Sequence, residues 1–265
     1  MKLRRLSTVL RLLLVFAAFA VSLVSAGRLG ISPLLFVPAV TVVAWFAQNR
    51  VPTLVARRAF VKLARHVAAE DVKPARAILL ELRELYLGSR VGMEQLRLYE
   101  AQLLSLEKKH AQAAKLLASV DMKILGEAWA PVLWNNLAWY RVLAGDAPNA
   151  LSAARASLEA AEKTTRPLFS SGTDLRALQL GTLGAALAIS GESEEAVEKL
   201  EQAIARGGTK KHQSAREFFL GEALSSMGRE DDARAAYARA VEEAPDTELA
   251  ERAAERLKAV KPYRA

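Results

Sequence analysis

Cysteine is absent from the 265 residues of the chain, which excludes disulfide bonds, thiolate metal sites and cysteine nucleophiles. Acidic residues are absent from positions 1–69, which contain ten lysines and arginines. The other residues carry 27 basic and 29 acidic side chains, so the net charge of +8 belongs to the N-terminal segment. A nucleic-acid-binding domain normally carries its basic surface on the folded part, and we therefore expect no nucleic-acid partner.

Catalytic motifs are also missing. The three histidines, His66, His110 and His212, lie far apart in the sequence and form no HExxH pair. No phosphate-binding loop, dinucleotide-binding loop or nucleophile elbow occurs. We therefore expect no enzyme activity, no cofactor, no metal site and no small-molecule substrate.

One long apolar stretch, residues 12–48, is interrupted only by Arg28. A single helix of that length would extend about 55 Å, whereas the hydrocarbon core of a bilayer is about 30 Å thick. The stretch therefore predicts a hairpin of two transmembrane helices, 10–27 and 30–48. Basic residues flank both ends, including the N-terminal segment 1–9, and the positive-inside rule places both ends in the cytoplasm.

These features predict a multi-pass protein of the cell (inner) membrane whose downstream domain faces the cytoplasm. Its alanine- and leucine-rich composition without cysteine suggests a bacterial source. Two alternatives stay open. Residues 1–26 could be a cleaved signal peptide that ends at Val24-Ser25-Ala26. Pro33 and Pro38 weaken the second segment, and a single crossing would place the domain in the periplasm.

Residues 50–69 predict a basic juxtamembrane helix that begins near Pro52 and also serves as the first repeat helix. Three of its basic residues fall within about 60° of each other on a helical projection, opposite an apolar side. A basic side next to a membrane is typical of contact with anionic lipid headgroups, although it could also be a solvated surface. The candidate headgroup residues are Arg57, Arg58, Lys62 and Arg65.

A repeated pattern of small residues occupies the rest of the chain. The clearest copy contains Leu220-Gly221, Gly228, Ala233, Tyr237, Ala240 and Pro245, and the next contains Gly184, Gly191, Ala196, Leu200 and Ala203. Weaker copies centre on three further alanines. The five marker alanines are separated by 38, 37, 46 and 37 residues, and residues 164–172 account for the longest interval as an insertion. They are Ala75, Ala113, Ala150, Ala196 and Ala233.

This spacing resembles the tetratricopeptide repeat (TPR) family. The resemblance implies an all-α fold, an α-solenoid of about five antiparallel helix pairs over residues 54–260 with a polar C-terminal capping helix. It also implies that small residues lie where the two helices of a pair cross. The expected packing residues are the five marker alanines together with Gly184, Ala203, Gly221 and Ala240.

The resemblance further implies a concave groove, lined by the first helix of each pair, that binds a protein or peptide partner. We expect five residues to project into it: Tyr99, Asn136, Trp139, Phe218 and Phe219. Asn136 matches an asparagine that co-chaperone members use to hold a carboxylate, but their basic partners have no counterpart here. The resulting hypothesis is a membrane-anchored scaffold or adaptor. The alternative is an accessory subunit of a membrane enzyme or transport complex.

Overall fold

The computed structural model describes residues 2–29, 37–164 and 174–259. All regular structure in these ranges is helical. The helices are α1 (Lys2–Leu29), α2 (Val37–Ala68), α3 (Val72–Leu85), α4 (Arg90–Leu106), α5 (His110–Ala118), α6 (Met122–Leu125), a short 3-10 helix (Glu127–Trp129), α7 (Ala130–Leu143), α8 (Ala147–Lys163), α9 (Leu175–Ser190), α10 (Ser193–Ala205), α11 (Lys210–Ser226), α12 (Glu230–Glu243) and α13 (Glu248–Ala259).

Contacts divide the chain into an N-terminal unit, Met1–Glu107, and a C-terminal unit, Lys108–Ala265. This boundary falls inside the range 54–260, which the sequence pattern presents as one solenoid. The helix pair α4 and α5, predicted as one repeat, contributes one helix to each unit. The predicted insertion at 164–172 lies almost entirely outside the described residues.

In the N-terminal unit, α1 packs along α2 and also contacts α3. Its 28 residues make α1 longer at both ends than the predicted span 10–27. The first residues of the second predicted span, 30–36, lie outside the described residues. The remainder of that span, from Val37, forms the start of α2.

The predicted helix start at Pro52 is wrong, because α2 continues through this proline to Ala68. Proline removes one backbone donor and disfavours a helix interior. Here the helix is held on both sides of Pro52 by burial of Val51 and Val55, which pack with Leu3 of α1. Tertiary packing therefore outweighs the local signal. Farther along, buried Ala56, Ala59 and Leu63 form a core with α3 and α4.

The C-terminal unit contains three helix hairpins, α7/α8, α9/α10 and α11/α12, each packed on the next. Helix α5 packs on α7 at one end, and α13 packs on α12 and α11 at the other. The marker alanines lie on the second helix of each predicted pair, and all five are fully buried. Ala203 and Ala240 are also fully buried.

Two glycines allow close approach between the helices of a hairpin. A Cβ atom on Gly184 would lie 2.5 Å from Leu200 Cγ, and one on Gly221 would lie 2.5 Å from a ring carbon of Tyr237. Both distances are shorter than real carbon contacts. These two positions therefore accept no larger side chain without displacement of Leu200 or Tyr237 on the facing helix.

Buried polar side chains connect successive hairpins. Ser157 on α8 donates a hydrogen bond at 2.7 Å to the Pro131 carbonyl on α7 of the same hairpin, and Gln179 on α9 of the next hairpin donates to the Ser157 carbonyl at 2.9 Å. Arg216 on α11 donates to the carbonyl of Ala203 in α10 and to that of Gly207 just after α10. These bonds satisfy buried groups that would otherwise destabilise the fold, and they fix the stacking of hairpins.

Candidate partner-binding surfaces

A shallow cavity of about 390 Å³ opens in the N-terminal unit between α2 and α4. Such a volume is in the range of small binding pockets in proteins, about 300–1,000 Å³. We call it the tyrosine cavity, and its lining residues are Thr53, Arg57, Phe60, Val61, Ala64, Tyr86, Gln95 and Tyr99.

Three aromatic rings form the wall of the tyrosine cavity. The Phe60 centroid lies 5.9 Å from that of Tyr86 and 5.6 Å from that of Tyr99, in tilted arrangements. Gly92 on α4 makes room for this wall, since a Cβ atom there would lie 2.2 Å from the Tyr86 ring. The rings are half-buried and present an apolar surface beside polar groups, as anchoring sites at interfaces do.

Burial disfavours ionisation of the two tyrosines. Desolvation raises the pKa of Tyr86 and of Tyr99 above the usual 10.0, because the phenolate form loses hydration. Both hydroxyls therefore retain their protons at physiological pH and can donate hydrogen bonds. A protein segment that binds in the tyrosine cavity could offer backbone carbonyls as acceptors.

One basic residue of α2 borders this cavity. Arg57, Arg58, Lys62 and Arg65 are all exposed and form no ion pair within the described residues. Arg57 also lines the tyrosine cavity. The cavity therefore combines an aromatic wall with a positive charge at its edge.

The structure places the five predicted groove residues in different surroundings. Tyr99 lies in the N-terminal unit, and the other four lie in the C-terminal unit. Phe218 and Phe219 are 0% and 2% exposed, so neither ring offers surface to a partner. Trp139 and Asn136 on α7 are half-buried.

Contacts between α7 and α11 explain the burial of Phe219. Its ring meets the Trp139 ring edge-on, with centroids 6.0 Å apart. Helix α9 packs on both α7 and α11, and its buried residues include Gly181 and Ala185. Small residues on α9 let the neighbouring helices approach, so aromatic side chains predicted to line an open groove contact each other instead.

Helix α13 covers Phe218. The Arg252 guanidinium lies 4.8 Å from the Phe218 ring centroid, a cation–π arrangement. Arg256 donates two hydrogen bonds to Glu222, at 2.8 and 2.9 Å. At the other end of α13, Glu248 lies 3.3 Å from His110 of α5. The capping helix thus reaches both ends of the C-terminal unit.

One helix of the described ranges is long and apolar enough to cross a membrane, Leu3–Arg28 within α1. Only 6% of its apolar window is buried, and large side chains such as Phe16 and Val21 are 68% and 65% exposed. Exposed apolar surface on this scale is unusual for a soluble monomer. No group of three or more potential metal ligands occurs in the described residues.

Sequence reasoning missed three residues that line or support the tyrosine cavity. Phe60 lies on the apolar side of the predicted juxtamembrane helix, Tyr86 is the C-cap residue of α3, and Gly92 lies outside every repeat position. Each contributes through a contact with a different helix. Aromatic residues at 60, 86 and 99 are hardly denser than in the chain as a whole, which has 6% aromatic residues, so the sequence carried no signal for this cavity.

Comparison with known proteins adds little to this description. Neither a protein-family model nor a curated protein matches the chain. Among solved structures, the crystal structure of a TPR-like protein from Chlorobium tepidum TLS is similar, with 18% sequence identity and a TM-score of 0.40. The similarity covers 51% of this chain and 98% of that protein.

Proposed function

We propose that the chain is a membrane-anchored helical scaffold that binds a partner protein in the tyrosine cavity and holds it next to the bilayer. One observation carries this proposal. Helix α2 is unbroken from Val37 to Ala68, so the same helix contains the apolar segment before Arg50 and one wall of the cavity. A partner bound there is connected to the anchor without a flexible linker.

The anchor in this proposal is α1 together with the first part of α2. The exposed apolar surface of α1 supports it, because lipid would cover side chains that water solvates poorly. The described part of α2 ahead of Asn49 spans 37–48, which corresponds to about 18 Å of helix. Residues 30–36 would have to complete the second crossing that the sequence predicts.

The position of the cavity along α2 defines how far from the bilayer a partner lies. Thr53 and Ala64 follow Gln48 by about 8 Å and 24 Å of helix at 1.5 Å per residue. The partner segment would therefore lie on the cytoplasmic side, close to the lipid headgroups. A juxtamembrane segment of another membrane protein fits this position.

Charge indicates the chemistry of the partner. Lys62 and Arg65 follow Gln48 by about 21 Å and 26 Å along α2, beyond a Debye length of about 8 Å from the headgroups. Neither side chain lines the tyrosine cavity, whereas Arg57 does. We therefore assign Arg57 to attraction of an acidic protein segment, while Arg58 remains within reach of anionic lipid.

Site-specific photo-crosslinking in cells tests this proposal. A photoreactive amino acid at Tyr99 is expected to give a discrete adduct with one partner, because the ring lines the tyrosine cavity. The matched control is Ala77, an exposed residue of α3 that lies outside the cavity. Charge reversal at Arg57, Arg57→Glu, should reduce the Tyr99 adduct if the partner is acidic.

Two results would contradict the proposal. Equal adduct patterns from Tyr99 and Ala77 would show that the cavity binds no specific partner. Recovery of the full chain in the soluble fraction of lysed cells would show that it is not anchored in the membrane.

A further inference from the structure

A second concave site in the N-terminal unit lies outside the surfaces assigned to the partner. It is a cleft of about 540 Å³ between the first turns of α1 and the end of α3. We call it the N-terminal cleft, and its lining residues are Arg4, Arg5, Thr8, Val9, Glu84 and Leu87. Side chains from two separate helices build it, so it is more than a helix end.

The N-terminal cleft lies at the depth of the lipid headgroups if α1 crosses the bilayer. Arg11 is the last charged residue before the apolar run of α1. Thr8 and Val9 precede Arg11 by about 3–5 Å of helix, and Arg4 and Arg5 by about 9–11 Å. The headgroup region on each side of a bilayer is about 5–8 Å thick, so the cleft spans it and extends just beyond.

The charges of the cleft favour a phosphate. Arg4 and Arg5 are exposed and form no ion pair with a described residue, and two guanidinium groups outweigh the single carboxylate of Glu84. Guanidinium groups bind phosphate oxygens through paired hydrogen bonds. The Thr8 hydroxyl already donates to the Arg4 carbonyl at 3.0 Å, so the arginines are the phosphate donors.

The apolar lining of the cleft favours a lipid over a soluble phosphate. Leu87 and Val9 are 63% and 52% exposed, although both are large apolar side chains. A soluble phosphate would leave them in water, whereas the glycerol and upper acyl carbons of a phospholipid would cover them. The cleft thus combines a charged part, Arg4 and Arg5, with an apolar part, Val9 and Leu87, as an anionic phospholipid requires.

We infer that the N-terminal cleft binds an anionic phospholipid, with its phosphate on Arg4 and Arg5 and its glycerol region against Val9 and Leu87. This inference rests on the proposed membrane anchoring but not on the partner site. A bound lipid would reinforce the contact between α1 and α3 that the structure already contains.

Lipid titration of the purified full chain in detergent micelles, followed by native mass spectrometry, tests the inference. The probe is phosphatidylglycerol, with phosphatidylcholine as the neutral lipid and glycerol 3-phosphate as the soluble phosphate. We expect the double variant R4Q/R5Q to bind phosphatidylglycerol at least about tenfold more weakly than the unchanged chain. The matched control K62Q/R65Q removes the same charge from α2 and should change the affinity less than about twofold.

A variant of opposite sign gives a second measurement. Glu84→Gln removes the negative charge from the cleft and should tighten phosphatidylglycerol binding. Unchanged affinity in R4Q/R5Q, weaker binding in E84Q, equal binding of phosphatidylcholine, or displacement of the lipid by an equal concentration of glycerol 3-phosphate would each overturn the inference.

Flotation of the unchanged chain with liposomes separates this failure from failure of the anchor. If the chain floats but R4Q/R5Q leaves phosphatidylglycerol affinity unchanged, the lipid site is excluded and membrane anchoring is retained. If the chain does not float, both proposals are excluded.

Discussion

Side-chain volume at single buried positions controls how closely the helices of the C-terminal unit pack. Ala233 on α12 is fully buried, and a Cβ atom on Gly221 of the facing α11 would overlap Tyr237. Protein interiors are packed at the density of organic crystals, so no spare volume exists for extra carbons. Small residues at these positions are therefore required by packing and do not merely reflect the alanine-rich composition of the chain.

The substitution Ala233→Leu tests this requirement. We expect it to destabilise the C-terminal unit by about 1–3 kcal/mol, because the added carbons overpack the α11/α12 crossing. Urea unfolding of the full chain in detergent, followed by tryptophan fluorescence, measures the change. Ala238 is exposed on the same helix, and Ala238→Leu should change stability by no more than about 0.5 kcal/mol. Equal effects of the two substitutions would mean that the repeat register is wrong.

His212, in the first turn of α11, predicts the direction in which folding stability changes with pH. Burial, together with the charge of Arg216, lowers the pKa of His212 below its usual 6.5. The unfolded chain therefore binds more protons than the folded chain just below pH 6.5, and folding stability falls as the pH decreases through that window.

The substitution His212→Gln should weaken this pH dependence. The measurement is the urea midpoint at pH 7.5 and pH 5.5 for both proteins. We expect a smaller loss between the two pH values in the variant than in the unchanged chain. The comparison uses only this difference, since glutamine can also form a capping box with Thr209 and shift both midpoints. Identical losses would show that His212 does not titrate in this range.

Residue-level patterns explain which contacts the sequence predicts and which it does not. The buried alanines and glycines follow from spacing within one hairpin, where the two partners are close in sequence. The tyrosine cavity depends on Phe60, Tyr86 and Gly92, which come from three helices and meet only in the tertiary fold. The burial of Phe218 by Arg252 likewise depends on the path of α13. Local periodicity carries no information about either contact.

At the scale of helices, α13 closes the C-terminal unit. It buries Leu249, Ala250 and Ala253, and Arg252 covers Phe218. The ion pair between Arg256 and Glu222 is half exposed on the arginine side, and pairs of this kind contribute little on their own. Apolar burial is therefore the main contribution of this helix, in agreement with the need of helical arrays for a capping element.

Removal of α13 measures that contribution. A chain that ends at Pro245 should lose about 2–4 kcal/mol of unfolding free energy, because Phe218 and the α12 surface become exposed. It should also bind a hydrophobic dye such as ANS. The matched control ends at Ala259 and retains α13, and it should behave as the full chain does. Equal stability of the two truncated chains would exclude a capping role.

Helix α2 is an element that the sequence predicts incorrectly. Its apolar segment and basic segment are each evident from composition, but Pro52 separates them and predicts two helices. The structure has one helix, because Val51 and Val55 are buried together with Leu3. The direct connection between anchor and cavity, on which the proposed function depends, therefore follows from tertiary packing.

For the whole molecule, the unequal charge distribution gives the strongest constraint on orientation. All ten basic residues among positions 1–69 except Arg28 lie at 2–11 or 50–65, and no acid opposes them. The positive-inside rule counts such residues close to the ends of apolar segments. If residues 37–48 belong to a second crossing, both flanks lie on the cytoplasmic side, and so do the tyrosine cavity and the N-terminal cleft.

The absence of cysteine makes this orientation directly measurable, since any introduced thiol is unique. Ser32→Cys lies in sequence between α1 and α2, and Ala238→Cys lies on an exposed position of α12. In intact cells a membrane-impermeant maleimide should label Ser32→Cys but not Ala238→Cys, and permeabilisation should expose the latter. Labelling of Ala238→Cys in intact cells would instead indicate a single crossing. The tyrosine cavity would then face the periplasm, where its basic border could not attract a cytoplasmic partner.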